Sequence, residues 1–179
     1  MFVKWGNQSK IQHFGRHIKN MVNMIKILFV CHGNICRSPM AEFVMKDYVE
    51  KAGLSNLFYI ESAATSSEEI YMGVGNAVYP PAKAELARHG ISCDGKRARK
   101  VEAKDFERFD MIIAMDDRNF ENLKRNFPGN EEKLSLLMEY TGERRSIADP
   151  WYTRDFKSTF NDVSKACKGL LEYILKNDC

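Results

Sequence analysis

A chain of 179 residues, 44% apolar and 28% charged, has the size and composition of one soluble globular domain with a proper core. It contains no apolar run near the roughly 20 residues a bilayer-spanning helix needs and no Cys/His cluster with zinc spacing. Its five cysteines fit a reducing, cytoplasmic setting better than a secreted disulfide framework. The net charge of +3 is deceptive, because Lys4, Lys10, Arg16 and Lys19 place +4 in residues 1–23, which hold no acid. The rest therefore carries −1, a balance that argues against nucleic acid as a partner.

Residues 1–23 lack hydrophobic periodicity and the apolar core of a signal peptide, so they read as an N-terminal extension. They are expected to be disordered, a non-native start ahead of Met24, or a basic attachment segment; the domain proper is expected over residues 24–179. Residues 25–30 form a short, nearly all-apolar run, the mark of a strand buried on both faces. Cys31 ends it abruptly, and Ser38-Pro39 opens a helical pattern. Ser38 suits the N-cap and Pro39 the first turn, where its missing N–H costs nothing. Ala41, Val44, Met45 and Tyr48 then give the helix an apolar face, and Gly53 ends it.

A second strand is expected over residues 57–61, followed by a long loop over 66–81 whose length suits a wall of the active-site mouth. Residues 82–88 read as a helix closed by His89-Gly90, and residues 92–102 as a polar, solvated connector. A short helix over 104–109 leads to a third strand over 110–115. Asp117 is expected to cap a helix over 118–125, and residues 133–137 to form a fourth strand. Phe156, Phe160, Val163, Cys167, Leu170, Leu171 and Ile174 fall at helical spacing in a last long helix, with Cys167 as a small core residue. Strands alternating with helices predict a single α/β domain: a parallel sheet of four strands with helices on both faces.

The loop between Cys31 and Ser38 therefore lies at a strand's carboxyl end and a helix's N-terminus, where α/β folds bind ligands. Such a loop aims backbone N–H groups at an anion, with Gly33 and Asn34 tolerating the positive φ that curling needs. Arg37 offers a planar fork that matches two phosphate oxygens. Cys31 sits beneath, and the helix dipole and Arg37 both favour its thiolate, a nucleophile aimed at phosphorus. Expelling the alcohol needs a proton. Asp149 is the candidate acid, because Pro150 holds it extended and Trp151 and Tyr152 can grip an aromatic leaving group and partly desolvate the carboxyl.

The stretch Cys-His-Gly-Asn-Ile-Cys-Arg-Ser-Pro over residues 31–39 resembles the low-molecular-weight protein tyrosine phosphatases. The resemblance extends from about residue 24 to 175 and includes Asp149-Pro150 followed by aromatics. It implies the four-stranded parallel sheet, hydrolysis of aryl phosphate monoesters through a phosphocysteine, and no cofactor or metal. Cys31 would be the nucleophile, Arg37 the phosphate clamp and Asp149 the acid and base. His32, Gly33, Asn34, Ile35, Cys36, Ser38, Trp151 and Tyr152 would form the substrate site. Ser38 would donate to the thiolate, while Asn34, Ser62 and His89 would hold the loop by hydrogen bonds. Asp116 matches a position near the site without an evident role, and His32 either adds to phosphate attraction or faces solvent. Geometry leaves Cys36 equally a packing residue or a partner that resolves oxidised Cys31; the resemblance favours the latter. Residues 71–74 look like an insertion relative to the family.

Expected partners are phosphotyrosine-containing proteins or small aryl phosphates, with no membrane, and a monomer or weak dimer. Two alternatives share the fold. A phosphoarginine phosphatase tends to carry Thr where Ile35 stands, and a thiol-coupled arsenate reductase needs two further cysteines, whereas residues 110–125 contain none. A non-catalytic phosphopeptide binder would lack Cys31 or Asp149, and both are present.

Overall fold

The computed structural model describes residues 24–177; the expectations for residues 1–23 lie outside them. The central strand is β1 (Ile25–Cys31), parallel to β2 (Phe58–Ala64) on one side and to β5 (Met111–Ala114) on the other. A fourth parallel strand, β6 (Leu134–Leu136), pairs with β5, giving the order β2-β1-β5-β6. Alternate residues of β1 serve opposite cores, as the two-residue period of a strand requires. Ile27 and Phe29 meet a core built with Met40, Val44, Leu86, Val163, Cys167 and Leu171. Leu28 and Val30 meet a smaller one containing Phe106, Phe109, Ile112 and Leu123. Burial on both faces explains why β1 reads as continuous apolar sequence.

The larger core is covered by α1 (Arg37–Lys51), α2 (Pro80–Arg88) and the long C-terminal α6 (Phe156–Asn177). On the opposite face lie α3 (Ala103–Arg108) and α4 (Asp117–Asn126). Among the described residues no helix is long and apolar enough to cross a membrane. Gly169 lets α6 close on the 3-10 segment Leu137–Thr141, because a Cβ there would fall 2.1 Å from the Tyr140 carbonyl oxygen.

Several local expectations are corrected. Ser38 is not the N-cap of α1; Cys36 is, and Ser38 lies in the first turn with its hydroxyl turned to Cys31. Asp116, rather than Asp117, caps α4, accepting from the Asn119 N–H at 2.6 Å. Within the long loop over 66–81 stands a short antiparallel hairpin, β3 (Ile70–Tyr71) and β4 (Val74–Gly75), whose turn residues Met72 and Gly73 both have positive φ. Two left-handed residues match the right-handed twist of the flanking strands. The segment over 92–102 is not a solvated connector. It runs along the end of β2, where the Ala64 N–H donates to the Arg99 carbonyl and the Val101 N–H to the Ala64 carbonyl. Cys93, Ala98 and Val101 are buried as a result.

Candidate active site

The carboxyl end of β1 delivers Cys31 to the sheet's edge, and the chain then turns through residues 32–36 into α1. Asn34 has φ 57, a left-handed conformation that asparagine tolerates better than most residues. Gly33 does not show that conformation and is needed for space: a Cβ there would lie 3.0 Å from the Glu69 Cγ. Cys31 is almost fully buried. Its Sγ lies 3.0 Å from the Ser38 Oγ and accepts from the Asn34 N–H at 3.3 Å.

The polar groups beneath the loop form a directional chain. The Asn34 amide donates to the Ser38 Oγ at 2.9 Å and to the Ser62 Oγ at 2.8 Å, and its carbonyl accepts from the Arg99 N–H at 3.1 Å. Ser62 donates in turn to the buried Glu42 carboxylate at 2.6 Å. Lys96 closes the chain, pairing with Glu42 at 2.8 Å and donating to the Ser62 carbonyl at 3.0 Å. Because Ser38 accepts from Asn34, its own proton can be directed at sulfur, as charge on a thiolate requires. A buried carboxylate needs such a cation beside it. His89, expected in this network, stands outside it: its Nε2 faces Glu85 at 3.4 Å and its ring stacks on Phe160 at 3.8 Å. Lys96 and Glu42 occupy the place given to it.

Arg37 is 3% exposed and held from three sides. One terminal nitrogen donates to Asp116 and to the Ile147 carbonyl at 3.2 Å, and the other donates to Asp149. Burial opposes its charge, but Cys31, Asp149 and Asp116 outweigh that and keep the guanidinium's pKa above its ordinary value. Asp116 thereby acquires a role: one oxygen caps α4 while the other fixes the plane of Arg37. The signal was available in the sequence, since a carboxylate just after a strand next to β1 lies at the ligand-binding edge.

Asp149 is the N-cap of the short helix α5 (Pro150–Thr153), accepting from the Trp151 N–H at 3.1 Å with one oxygen and from Arg37 with the other. Trp151 packs on Tyr79 at 5.2 Å between ring centroids, and Tyr79 on Phe156 at 5.9 Å, so α6 buttresses that wall. One pocket is lined by Cys31, His32, Gly33, Ile35, Cys36, Arg37, Asp149, Trp151 and Tyr152. Asn34, Ser38 and Ser62 are fully buried beneath it. Glu68 and Glu69 also line the pocket and were missed; Glu68 accepts from, or pairs with, His32 at 2.9 Å, which lowers the Glu68 pKa. Burial, and then Cys31, pushes the Cys36 thiol up. The arrangement sets the Cys31 sulfur, the Arg37 guanidinium and the Asp149 carboxylic group around a space open to solvent. That set can attack, clamp and protonate a phosphate ester.

The comparisons with known proteins identify the family. The family model described as low molecular weight phosphotyrosine protein phosphatase matches residues 26–178. The chain is 38% identical over 157 residues to the low molecular weight protein-tyrosine-phosphatase YfkJ of Bacillus subtilis, covering 86% of this chain and 97% of that one. It is 35% identical to PtpA of Staphylococcus epidermidis, with 86% and 96% covered. The crystal structure of YfkJ superposes with a TM-score of 0.82 at 36% identity over 88% of this chain and 98% of the other. That of SP-PTP from Streptococcus pyogenes gives 0.76 at 39% identity over 87% and 96%. With the pocket built on the strand, loop and helix that the family model spans, the chain belongs to the low molecular weight phosphotyrosine protein phosphatases.

Proposed function

We propose that this enzyme hydrolyses phosphotyrosine in proteins, and small aryl phosphates, through a phosphocysteine. Cys31 attacks phosphorus in line, forming the S–P bond as the P–O bond to the phenol breaks. Arg37 and the loop amides stabilise the equatorial oxygens, so the positive field comes from the protein itself. Asp149 gives its proton to the departing phenolate. It then takes a proton from the water that attacks phosphorus, and the S–P bond breaks with Ser38 donating to the leaving thiolate. The Arg37–Asp149 pair has a place in this sequence: a bound phosphate dianion competes with Asp149 for the guanidinium, freeing the carboxyl to face the ester oxygen.

The observation that carries the reading is convergence. Cys31, Arg37 and Asp149, 118 positions apart in sequence at the extremes, line a single pocket, with a hydroxyl 3.0 Å from the sulfur. Ile35 and Trp151 give the pocket apolar surface that suits the ring of an aryl ester. Arsenate reduction by a thiol relay finds no support, since Cys93 and Cys167 are buried elsewhere in the core. The test is Cys31→Ser, which should abolish turnover of phosphotyrosine while circular dichroism and melting stay close to wild type, because a serine hydroxyl is far less acidic than a thiol. Appreciable residual hydrolysis would remove Cys31 from the nucleophile role.

A further inference from the structure

Seven large apolar side chains are exposed among the described residues, and five of them, Tyr71, Met72, Val74, Trp151 and Tyr152, belong to the β3–β4 hairpin or the pocket rim. Single exposed apolar residues need no explanation, but a concentration at one mouth does. Tyr71 is 78% and Met72 85% exposed. Tyr71, Met72 and Val74 do not line the pocket, so under the phosphatase reading the hairpin would meet groups beyond the phenol.

The hairpin is anchored to the pocket through Glu69. The Asn76 N–H donates to the Glu69 carbonyl at 2.8 Å, and the Asn76 side chain to the Glu69 carboxylate at 2.7 Å. Gly75 packs so closely on the Ala98 backbone that a Cβ would meet its carbonyl oxygen at 1.8 Å, which fixes the hairpin's direction. Glu68 and Glu69 thus bring two carboxylates to the rim; His32 pairs with Glu68, on which Arg118 also acts, and Glu69 is bonded by the neutral Asn76 amide. Arg154 lies over the Trp151 ring at 5.4 Å. Glu69 lies in the turn that opens β3, closed by the Ile70 N–H on the Ser67 carbonyl at 3.0 Å, and Tyr71 and Met72 follow it at the hairpin's tip.

We propose that Glu68, Glu69 and the hairpin form a docking wall for an extended phosphotyrosyl polypeptide. Its chemistry is set by the wall: a basic residue beside the phosphotyrosine, facing the two glutamates, and an apolar residue farther along the peptide, against Tyr71 and Met72. This rests on the phosphatase reading above and adds what the substrate carries around the phosphorylated side chain. Charge complementarity at the rim and continuity with the phosphate pocket favour a peptide over a second copy of this chain.

The test measures kcat/KM for phosphotyrosyl peptides with Lys or Glu next to the phosphotyrosine and Leu or Ser three positions away, on either side, beside free phosphotyrosine. Wild type should prefer Lys over Glu by roughly twofold to fivefold per facing acid, as exposed ion pairs do, and about 0.5 M salt should erase the preference. Glu68→Lys should cancel or invert it. Tyr71→Ser combined with Met72→Ser should lose about fivefold or more on the Leu peptides while free phosphotyrosine turns over as in wild type. Equal use of Lys and Glu peptides by wild type, or an unaltered peptide kcat/KM in the double variant, would overturn the proposal. So would a wild-type dimer that the double variant converts to monomer with peptide turnover unchanged, which would assign the patch to self-association. Failure of wild type on every aryl phosphate, free phosphotyrosine included, would overturn the phosphatase reading and this one with it.

Discussion

Replacing Asp149 with asparagine removes the transferable proton while keeping the helix cap. Asparagine is as good an N-cap as aspartate, so the bond from the Trp151 N–H, and with it α5, should persist. Its single oxygen, kept on that N–H, leaves the amide NH2 facing Arg37, so the bond from Arg37 is given up. Also gone is the ability to deliver a proton to the leaving oxygen, and only that loss depends on the leaving group. For an ordinary phenol that share is about 10²–10⁴ in rate, or roughly 3–5 kcal/mol at 1.36 kcal/mol per decade. For a strongly acidic nitrophenol the leaving anion is stable by itself, and the loss should shrink toward tenfold or less. The assay is kcat/KM across a series of substituted phenyl phosphates. That ratio reports transfer to the enzyme even where breakdown of the phosphocysteine limits kcat. A plot against leaving-group pKa should be nearly flat for wild type and steep for Asp149→Asn. Parallel lines, with equal losses at every leaving group, would refute the acid role and leave Asp149 as a cap and an anchor for Arg37.

Three further outcomes follow from the same geometry. Arg37→Lys should be severely impaired, because an ammonium cannot hold Asp116, the Ile147 carbonyl and two phosphate oxygens at once; near-normal kcat/KM on any aryl phosphate would contradict the clamp. Gly169→Ala should destabilise by about 2–3 kcal/mol, as overpacking does, lowering the melting temperature by roughly 5–10 °C as α6 is pushed off Tyr140; an unchanged melt would mean the contact yields freely. For Cys36, buried beside Cys31 in the pocket wall, we propose capture of the sulfenic acid that peroxide forms on Cys31. Wild type should then recover with dithiothreitol and Cys36→Ser markedly less, whereas equal recovery would leave Cys36 as packing.

The nucleophile loop was legible because it is local. Strand, cysteine, arginine and helix start are contiguous, so period and residue type place them without tertiary knowledge. Asp149 stood out through the family resemblance, since an Asp-Pro beside aromatics is by itself an ordinary turn. What escaped depends on segments distant in sequence. Lys96 stands 54 positions after Glu42, in a stretch whose lysines and arginines read as solvated. Two of those cations instead reach buried acids, Lys96 to Glu42 and Arg99 to Asp105, while Cys93, Ala98 and Val101 of the same stretch pack inward. Composition cannot distinguish a cation in water from one paired beneath a loop. The same limit misplaced His89, whose partners, Glu85 and Phe160, come from its own helix and from α6. Asp116 was noticed, but its hold on Arg37 becomes visible only once β5 is set beside β1.

The central claim is that Cys31 carries the phosphoryl group during turnover. It is tested most directly by mixing the enzyme with aryl phosphate, quenching in denaturant within the first turnovers, and locating the phosphate by peptide mass spectrometry. Asp149→Asn, which should be slow to activate the attacking water, is the form in which the intermediate ought to accumulate from an acidic phenol's ester. The account predicts one phosphoryl group on the peptide containing Cys31, none after Cys31→Ser, and loss of the label as inorganic phosphate is released. A label on Ser38 or His32, or steady product formation with no labelled peptide at any quench time, would contradict it.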